Sequence, residues 1–290
     1  MRPAILLALS AAALHAQGLS YPPRMEGATD YVYKTAAGVP LKIYVFQPTT
    51  PKPPKGAPAI VFFFGGGWTN GNPAQFEQHC RHLASRGMVA ITADYRVASR
   101  QGVKAVECLR DARSAIRWIR ANAKMLGIDP NRLAVGGGSA GGHLAAAAAL
   151  ISEYNDPSDN LKISARPDAL VLYNPAAVLA SIPGLPDWRE PAGMEQRMGV
   201  PLESISPYHH IAKGAPPTII FHGKADTTVP YVLIEAFTRR MTESGNRCEL
   251  HGYDGETHGF FNYGRGGNKA FQDTLAKTDA FLVTLGYLKP

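Results

Sequence analysis

The sequence predicts one α/β domain, a mostly parallel central sheet with helices packed on both faces. Three observations carry that expectation. Short continuous apolar runs such as "AIVFFF" at 59–64 are the mark of strands covered on both sides. Segments with apolar residues at helical spacing alternate with those runs, the rhythm of parallel strands joined by crossover helices. The chain has 290 residues, 45% of them hydrophobic and 18% charged, enough to bury a sizeable core.

The elements follow in chain order. "MRPAILLALSAAALHAQG" opens with a positive Arg2, an apolar stretch from Ala4 to Leu14 and a small Ala16. That pattern reads as a secretory signal over residues 1–16, cleaved after Ala16, although Leu14 is bulkier than usual two positions earlier. The expected product is an exported protein, periplasmic or extracellular, with a single domain over residues 21–290. No later apolar run is long enough to span a membrane. "YVYKT" and "LKIYVFQP" read as a hairpin with Gly38 in its turn, followed by the proline-rich surface loop "TTPKPPKGAP". After the strand "AIVFFF" come a helix over about 73–86 and the strand "MVAITADY". Val106, Leu109, Ala112, Ile116 and Ile119 recur at helical spacing and predict a helix over 104–125. "RLAV" is the next strand and "GHLAAAAALI" the next helix. "ALVLYNP", "PTIIFHG" and "CELHGY" follow as strands, with helices near 230–244 and 268–285. Residues 176–206, rich in Pro and Gly, interrupt the rhythm and read as a loop insertion rather than a helical lid.

The formal charge is +7, with Lys and Arg scattered rather than blocked. Nucleic acid is therefore not an expected partner, and the basic balance fits either solubility or an acidic substrate. Cys80, Cys108 and Cys248 are far apart and odd in number; one disulfide is permitted, but buried free thiols are expected. Neither the cysteines nor the histidines have metal-ligand spacing, so no metal and no organic cofactor is expected.

The chemistry concentrates at "LAVGGGSAGGHLAAAAALI", residues 133–151. Glycine weakens strand and helix interiors, so five glycines around Ser139 need a reason. Gly137, Ser139 and Gly141 spell G-x-S-x-G on a strand-to-helix turn, which holds out the serine hydroxyl as a nucleophile. A glycine-rich turn of this kind also binds phosphates, but "GGGSAGGH" carries no Lys. A nucleophilic serine needs a base, an orienting acid and donors for a developing oxyanion. "IIFHGKADTTVP" places Asp226 just after a strand, and "YDGETHGFFN" places His258 after the following one. The order Ser139, Asp226, His258 is the one that accompanies a G-x-S-x-G elbow. His143, His222 and His251 read as packing, structural or surface residues, and Asp254 and Glu256 as weaker candidates for the acid. "FFFGGGWTNGN" exposes glycine N–H groups after a central strand, so Gly66 and Gly67, with Ala140 just past the serine, are the expected oxyanion donors. Trp68 and Trp188 are candidate walls of a shallow substrate pocket, with simple packing as the alternative.

On these motifs the chain resembles the α/β-hydrolase-fold esterases of the acetyl esterase and hormone-sensitive-lipase-like group. "GGGW", "GGSAGGHLA", "HGKADTTVP" and "HGFFN" look most similar to the bacterial acetylxylan and feruloyl esterase relatives. The resemblance spans about 31–285 and implies a serine carboxylic-ester hydrolase acting on short-chain acyl esters, acetyl or feruloyl groups on carbohydrates among them. It assigns Ser139, Asp226 and His258 as a triad and Gly66, Gly67 and Ala140 as oxyanion donors. Two departures stand out. The usual oxyanion motif begins with His where this chain has Phe64, and the lipase-like branch has Asp where it has Gly138. A prolyl-oligopeptidase-like serine peptidase shares the triad order, but such enzymes carry a large propeller domain. A non-catalytic ligand-binding relative is the other alternative, against which the presence of all three triad residues argues.

Overall fold

The computed structural model describes residues 21–290 except Lys52, Arg189 and Glu190, so the expected signal segment lies outside the described residues. Among these residues eight strands form one sheet: β1 (Ala28–Ala36), β2 (Val39–Phe46), β3 (Ala57–Phe63), β4 (Val89–Ala93), β5 (Ile128–Gly138), β6 (Ala169–Tyr173), β7 (Thr218–Gly223) and β8 (Cys248–Tyr253). Their order is β1-β2-β4-β3-β5-β6-β7-β8. β1 pairs antiparallel with β2, and β2 with β4; every other pairing is parallel. The hairpin turn lies at Ala37 and Gly38, both with positive φ, the signature that matches the twist of the flanking strands.

The helices are α1 (Glu77–Ser85), α2 (Ala98–Gln101), α3 (Ala105–Ala121), α4 (Ala123–Leu126), α5 (Ala140–Leu150), α6 (Pro191–Met198), α7 (Leu202–Ile205), α8 (Tyr231–Glu243) and α9 (Lys269–Thr284). Every residue of β3 is buried, as a strand covered on both faces requires. Successive side chains then serve opposite layers. Val61 and Phe63 join the core under α3, α5 and α8, whereas Ile60 and Phe62 join the core under α1 and α9.

The structure corrects one expectation. Residues 176–206 are not loop throughout, because α6 and α7 lie inside them. α6 runs from Pro191 to Met198, and proline is the residue type a first helical turn tolerates. Met194 and Met198, one turn apart, bury their side chains and anchor that helix. The three cysteines are free: Cys80 and Cys108 are buried and Cys248 half-buried. Among the described residues no helix is long and apolar enough to cross a membrane.

Candidate active site

Parallel register brings the functional segments to one edge. Phe63 at the end of β3 lies opposite Gly137 of β5, so the glycine loop after β3 and the turn after β5 emerge side by side. Ser139 sits on that turn with φ +54 and ψ −117, a strained backbone for a residue with a side chain. The glycines make the turn sterically feasible. A Cβ on Gly137 would lie 2.5 Å from the Gly141 carbonyl carbon, and one on Gly141 only 2.0 Å from the Phe63 oxygen. Gly138, where the lipase-like branch has Asp, lies against Phe261, whose Cζ would meet an added Cβ at 2.6 Å. The Ser139 N–H donates to the Tyr173 carbonyl at 2.9 Å and the Ser139 carbonyl accepts from Ala176 at 3.2 Å, so the end of β6 and the segment after it grip the turn.

The structure brings the three predicted residues into one hydrogen-bonded chain. The Ser139 hydroxyl donates to His258 Nε2 at 2.9 Å, and His258 Nδ1–H donates to Asp226 Oδ2 at 2.7 Å. That proton placement follows from the partners: a carboxylate can only accept, which leaves Nε2 free to accept. The loops carrying Asp226 and His258 are pressed together, with Ala225 N–H donating to the Glu256 carbonyl at 3.0 Å. A Cβ on Gly223 would come within 2.2 Å of that same oxygen, so only glycine permits the approach. Asp226 Oδ1 accepts from the Thr228 and Val229 N–H groups at 2.8 and 2.9 Å. Burial pushes the Asp226 carboxyl pKa up, but hydrogen bonds from His222, His258 and Val229 outweigh it and hold the group well below the usual carboxylate range. The acid is therefore a fixed anion facing the imidazole.

Gly66 and Gly67 line the cleft beside Ser139, and both have positive φ. The N–H groups of Gly66, Gly67 and Ala140 have no acceptor among the described residues. The cleft has a volume of about 270 Å³, and Gln75, Asn174, Arg197, Thr228, Phe261 and Asn262 also line it. Trp68 and Trp188 both line it as well, their rings 6.3 Å apart and edge-to-face. Trp68 is also packed: it is buried and its Nε1–H donates to His143 Nδ1 at 3.2 Å.

Sequence reasoning missed the supports of the glycine loop. Gln75 Oε1 accepts from the Gly65 N–H at 2.6 Å, while its Nε2 donates to Asn262 Oδ1 at 3.0 Å. Asn262 Nδ2 in turn donates to the Gly259 carbonyl at 2.8 Å, and the Gly259 N–H donates to Asn174 Oδ1 at 2.9 Å. The Tyr95 hydroxyl donates to the Phe64 carbonyl at 2.7 Å. The one local signal was Asn72-Pro73, an N-cap and first-turn proline that start the short 3-10 turn carrying Gln75.

The other histidines take structural places. His143 is buried, its pKa pushed down to about 4 by desolvation, and its Nε2–H donates to the Ile205 carbonyl at 2.8 Å. His222 is buried and its Nε2–H donates to the Val229 carbonyl at 2.9 Å. His251 is half-buried on β8, stacked on Phe221. Asp254 pairs with Lys224 at the surface. Among the described residues no group of three His, Cys, Asp or Glu side chains is placed to hold a metal ion.

This arrangement, a serine on a strained strand-to-helix elbow within a mostly parallel sheet, defines a class. The chain belongs to the alpha/beta hydrolase fold family, whose model matches residues 60–262. It is 32% identical to Esterase LipC of Mycobacterium tuberculosis over 229 residues, covering 72% of this chain and 54% of that protein. The chain spans about half the length of the curated relatives it matches. Among solved structures it resembles Thermogutta terrifontis esterase 2 phosphonylated by sarin, with a TM-score of 0.89 and 48% identity over 94% of this chain and 100% of that one. The propionate-bound structure of that thermophilic esterase gives a TM-score of 0.89 and 49% identity over 94% and 99% of the two chains.

Proposed function

We propose that this chain is a serine carboxylesterase, and the Ser139–His258–Asp226 hydrogen-bonded chain opening onto a cleft is the observation that carries the reading. His258 Nε2 takes the Ser139 proton as Oγ attacks the ester carbonyl, and Asp226 stabilises the imidazolium that forms. The unengaged N–H groups of Gly66, Gly67 and Ala140 receive the oxyanion, each worth about 2.7–4 kcal/mol in the transition state. His258 then protonates the leaving alcohol, and water hydrolyses the acyl-enzyme by the same route.

The acyl group we propose is short. A cleft of about 270 Å³ holds an acetyl to butyryl group without a long tunnel, and the related esterase has been solved with propionate and with butyrate bound. Of the acyl groups expected on carbohydrates, acetyl suits this volume better than feruloyl. The apolar leader at 1–16 supports export of the enzyme.

The test is p-nitrophenyl acetate hydrolysis by the wild-type chain and by Ser139→Ala. We expect turnover by the first and a loss of at least about a thousandfold in the second. Paraoxon, which phosphorylates the related esterase, should inactivate the wild type with a single mass addition on Ser139. Substantial turnover by Ser139→Ala refutes the assignment.

A further inference from the structure

We propose that the cleft takes esters whose alcohol half carries an anionic group, a carboxylate above all, and that Arg197 is the residue that recognises it. The proposal rests on the esterase reading and adds a substrate class to it.

Arg197 lines the cleft from α6, whose buried Met194 and Met198 hold the helix against the core. Its Nη1 lies 3.4 Å from where a Cβ on Gly67 would stand, so the guanidinium covers the loop that presents the oxyanion donors. No ion pair or hydrogen bond engages that guanidinium among the described residues. Other arginines of the chain are matched: Arg96 to Asp111, Arg117 to Asp159, Arg120 to Asp168 and Arg132 to Asp129. Outside the lining, Arg265 donates to the His258 carbonyl at 3.0 Å and likewise has no carboxylate partner among the described residues. No Asp or Glu lines the cleft. Arg197 is thus a cation of the cleft lining that no acidic side chain of the lining offsets.

The difference in burial across the lining assigns the alcohol half of the ester to Arg197. The glycine loop and the buried Trp68 and Phe261 line the cleft together with Ser139, and the short acyl group proposed above is assigned to that side. Arg197 is exposed, so the solvated alcohol half of the ester is assigned to it. A planar guanidinium there can grip a carboxylate through two parallel N–H bonds while the ester carbonyl lies over Ser139. Because the contact is solvent-exposed, salt should weaken it.

A matched pair tests this: para-acetoxybenzoate, an anion, and its neutral methyl ester, which share the acetyl group and the aryl leaving oxygen. The quantity to read is the ratio of kcat/KM for the anion to that for the neutral ester. We expect the wild-type ratio to exceed that of Arg197→Gln by about tenfold at low ionic strength, with Arg197→Lys in between. In the wild type the ratio should also fall severalfold between about 20 mM and about 500 mM salt. This second measurement stands even if a variant is poorly expressed. A ratio unchanged by both the Gln substitution and salt overturns the proposal while leaving the esterase reading intact. A wild-type chain inert toward both esters overturns the esterase reading, and the substrate class with it.

Discussion

Burying an imidazole with no hydrogen-bond partner should make this fold sensitive to acid, and His79 offers the means to measure it. His79 on α1 is fully buried among aromatic rings, with centroids at 4.9 Å from Phe76 and from Phe271 and 5.2 Å from Tyr173. Neither ring nitrogen has a partner among the described residues. Desolvation, with a smaller contribution from nearby His82, pushes its pKa from 6.5 down to about 3. Between those values the unfolded chain binds a proton that the folded chain refuses. Stability is therefore full above 6.5 and falls as pH drops toward the folded pKa, by about 1.4 kcal/mol per pH unit. At about pH 4.5 His79 alone costs roughly 3 kcal/mol relative to neutral pH, a large part of the roughly 5–15 kcal/mol typical of a folded domain. His79→Phe removes the titration and keeps the ring contacts. At pH 7 relief of the unpaired imidazole, worth about 1–3 kcal/mol, is offset by overpacking of similar size. As pH falls to about 4.5 the variant should gain roughly 3 kcal/mol on the wild type. The assay is urea unfolding of both proteins across that range. Differencing the two cancels the contributions of His143 and Asp226, which both proteins share. A stability gap that stays constant with pH would refute the argument.

Three further outcomes follow from the site. His258→Ala should lose p-nitrophenyl acetate turnover to about the extent of Ser139→Ala, whereas His251→Ala, a half-buried residue stacked on Phe221, should stay within about twofold; the reverse pattern places the base elsewhere. Gln75→Leu removes the acceptor for the Gly65 N–H and should lower kcat about tenfold with a smaller change in KM. Gln75→Glu keeps that acceptor and should recover part of the loss, and no recovery would deny the oxygen its bracing role. Across p-nitrophenyl acetate, butyrate, octanoate and dodecanoate, kcat/KM should peak at the short chains. Each methylene gains about 0.8 kcal/mol only where it is fully buried, so a maximum at octanoate or beyond would mean a deep acyl tunnel.

What the sequence made legible is what local spacing encodes. The elbow was readable because a turn this tight forbids Cβ atoms at fixed offsets, and the contacts of Gly137 and Gly141 are those that a side chain would violate. The Asp226 and His258 pair was readable because strand ends put their loops on one edge. α6 was not, because proline-rich composition masked a proline in the single helical position that tolerates it, and the Met194–Met198 pair is too short a pattern to stand out. The Gln75–Asn262 hydrogen bond joins residues 187 apart in sequence, and a lone Gln and a lone Asn have no periodicity to betray them. Arg197 was one of many scattered cations until the fold placed it over Gly67.

Phe64 is the departure from the family pattern with the widest consequence. A histidine at that position would brace the oxyanion loop through its side chain; phenylalanine offers no such bond. Here its ring stacks on Tyr95 at 4.0 Å with the planes 12° apart, and the Tyr95 hydroxyl holds its carbonyl. One residue on, Gln75 holds the Gly65 N–H, and the Gly66 carbonyl closes a turn by accepting from Thr69 and Asn70, both at 3.0 Å. Gly71 completes the packing, since a Cβ there would lie 2.3 Å from the Gly65 oxygen and 2.6 Å from the Phe64 ring. The loop is thus fixed by its first two residues and by the Gly66 carbonyl, which leaves the Gly66 and Gly67 N–H groups unengaged. The new brace differs from a local histidine in one respect: Gln75 is itself held by Asn262, which reaches Gly259 beside the base. The proposed oxyanion donors and the proposed base are therefore positioned by one chain of amides, so a displacement of either loop strains the other.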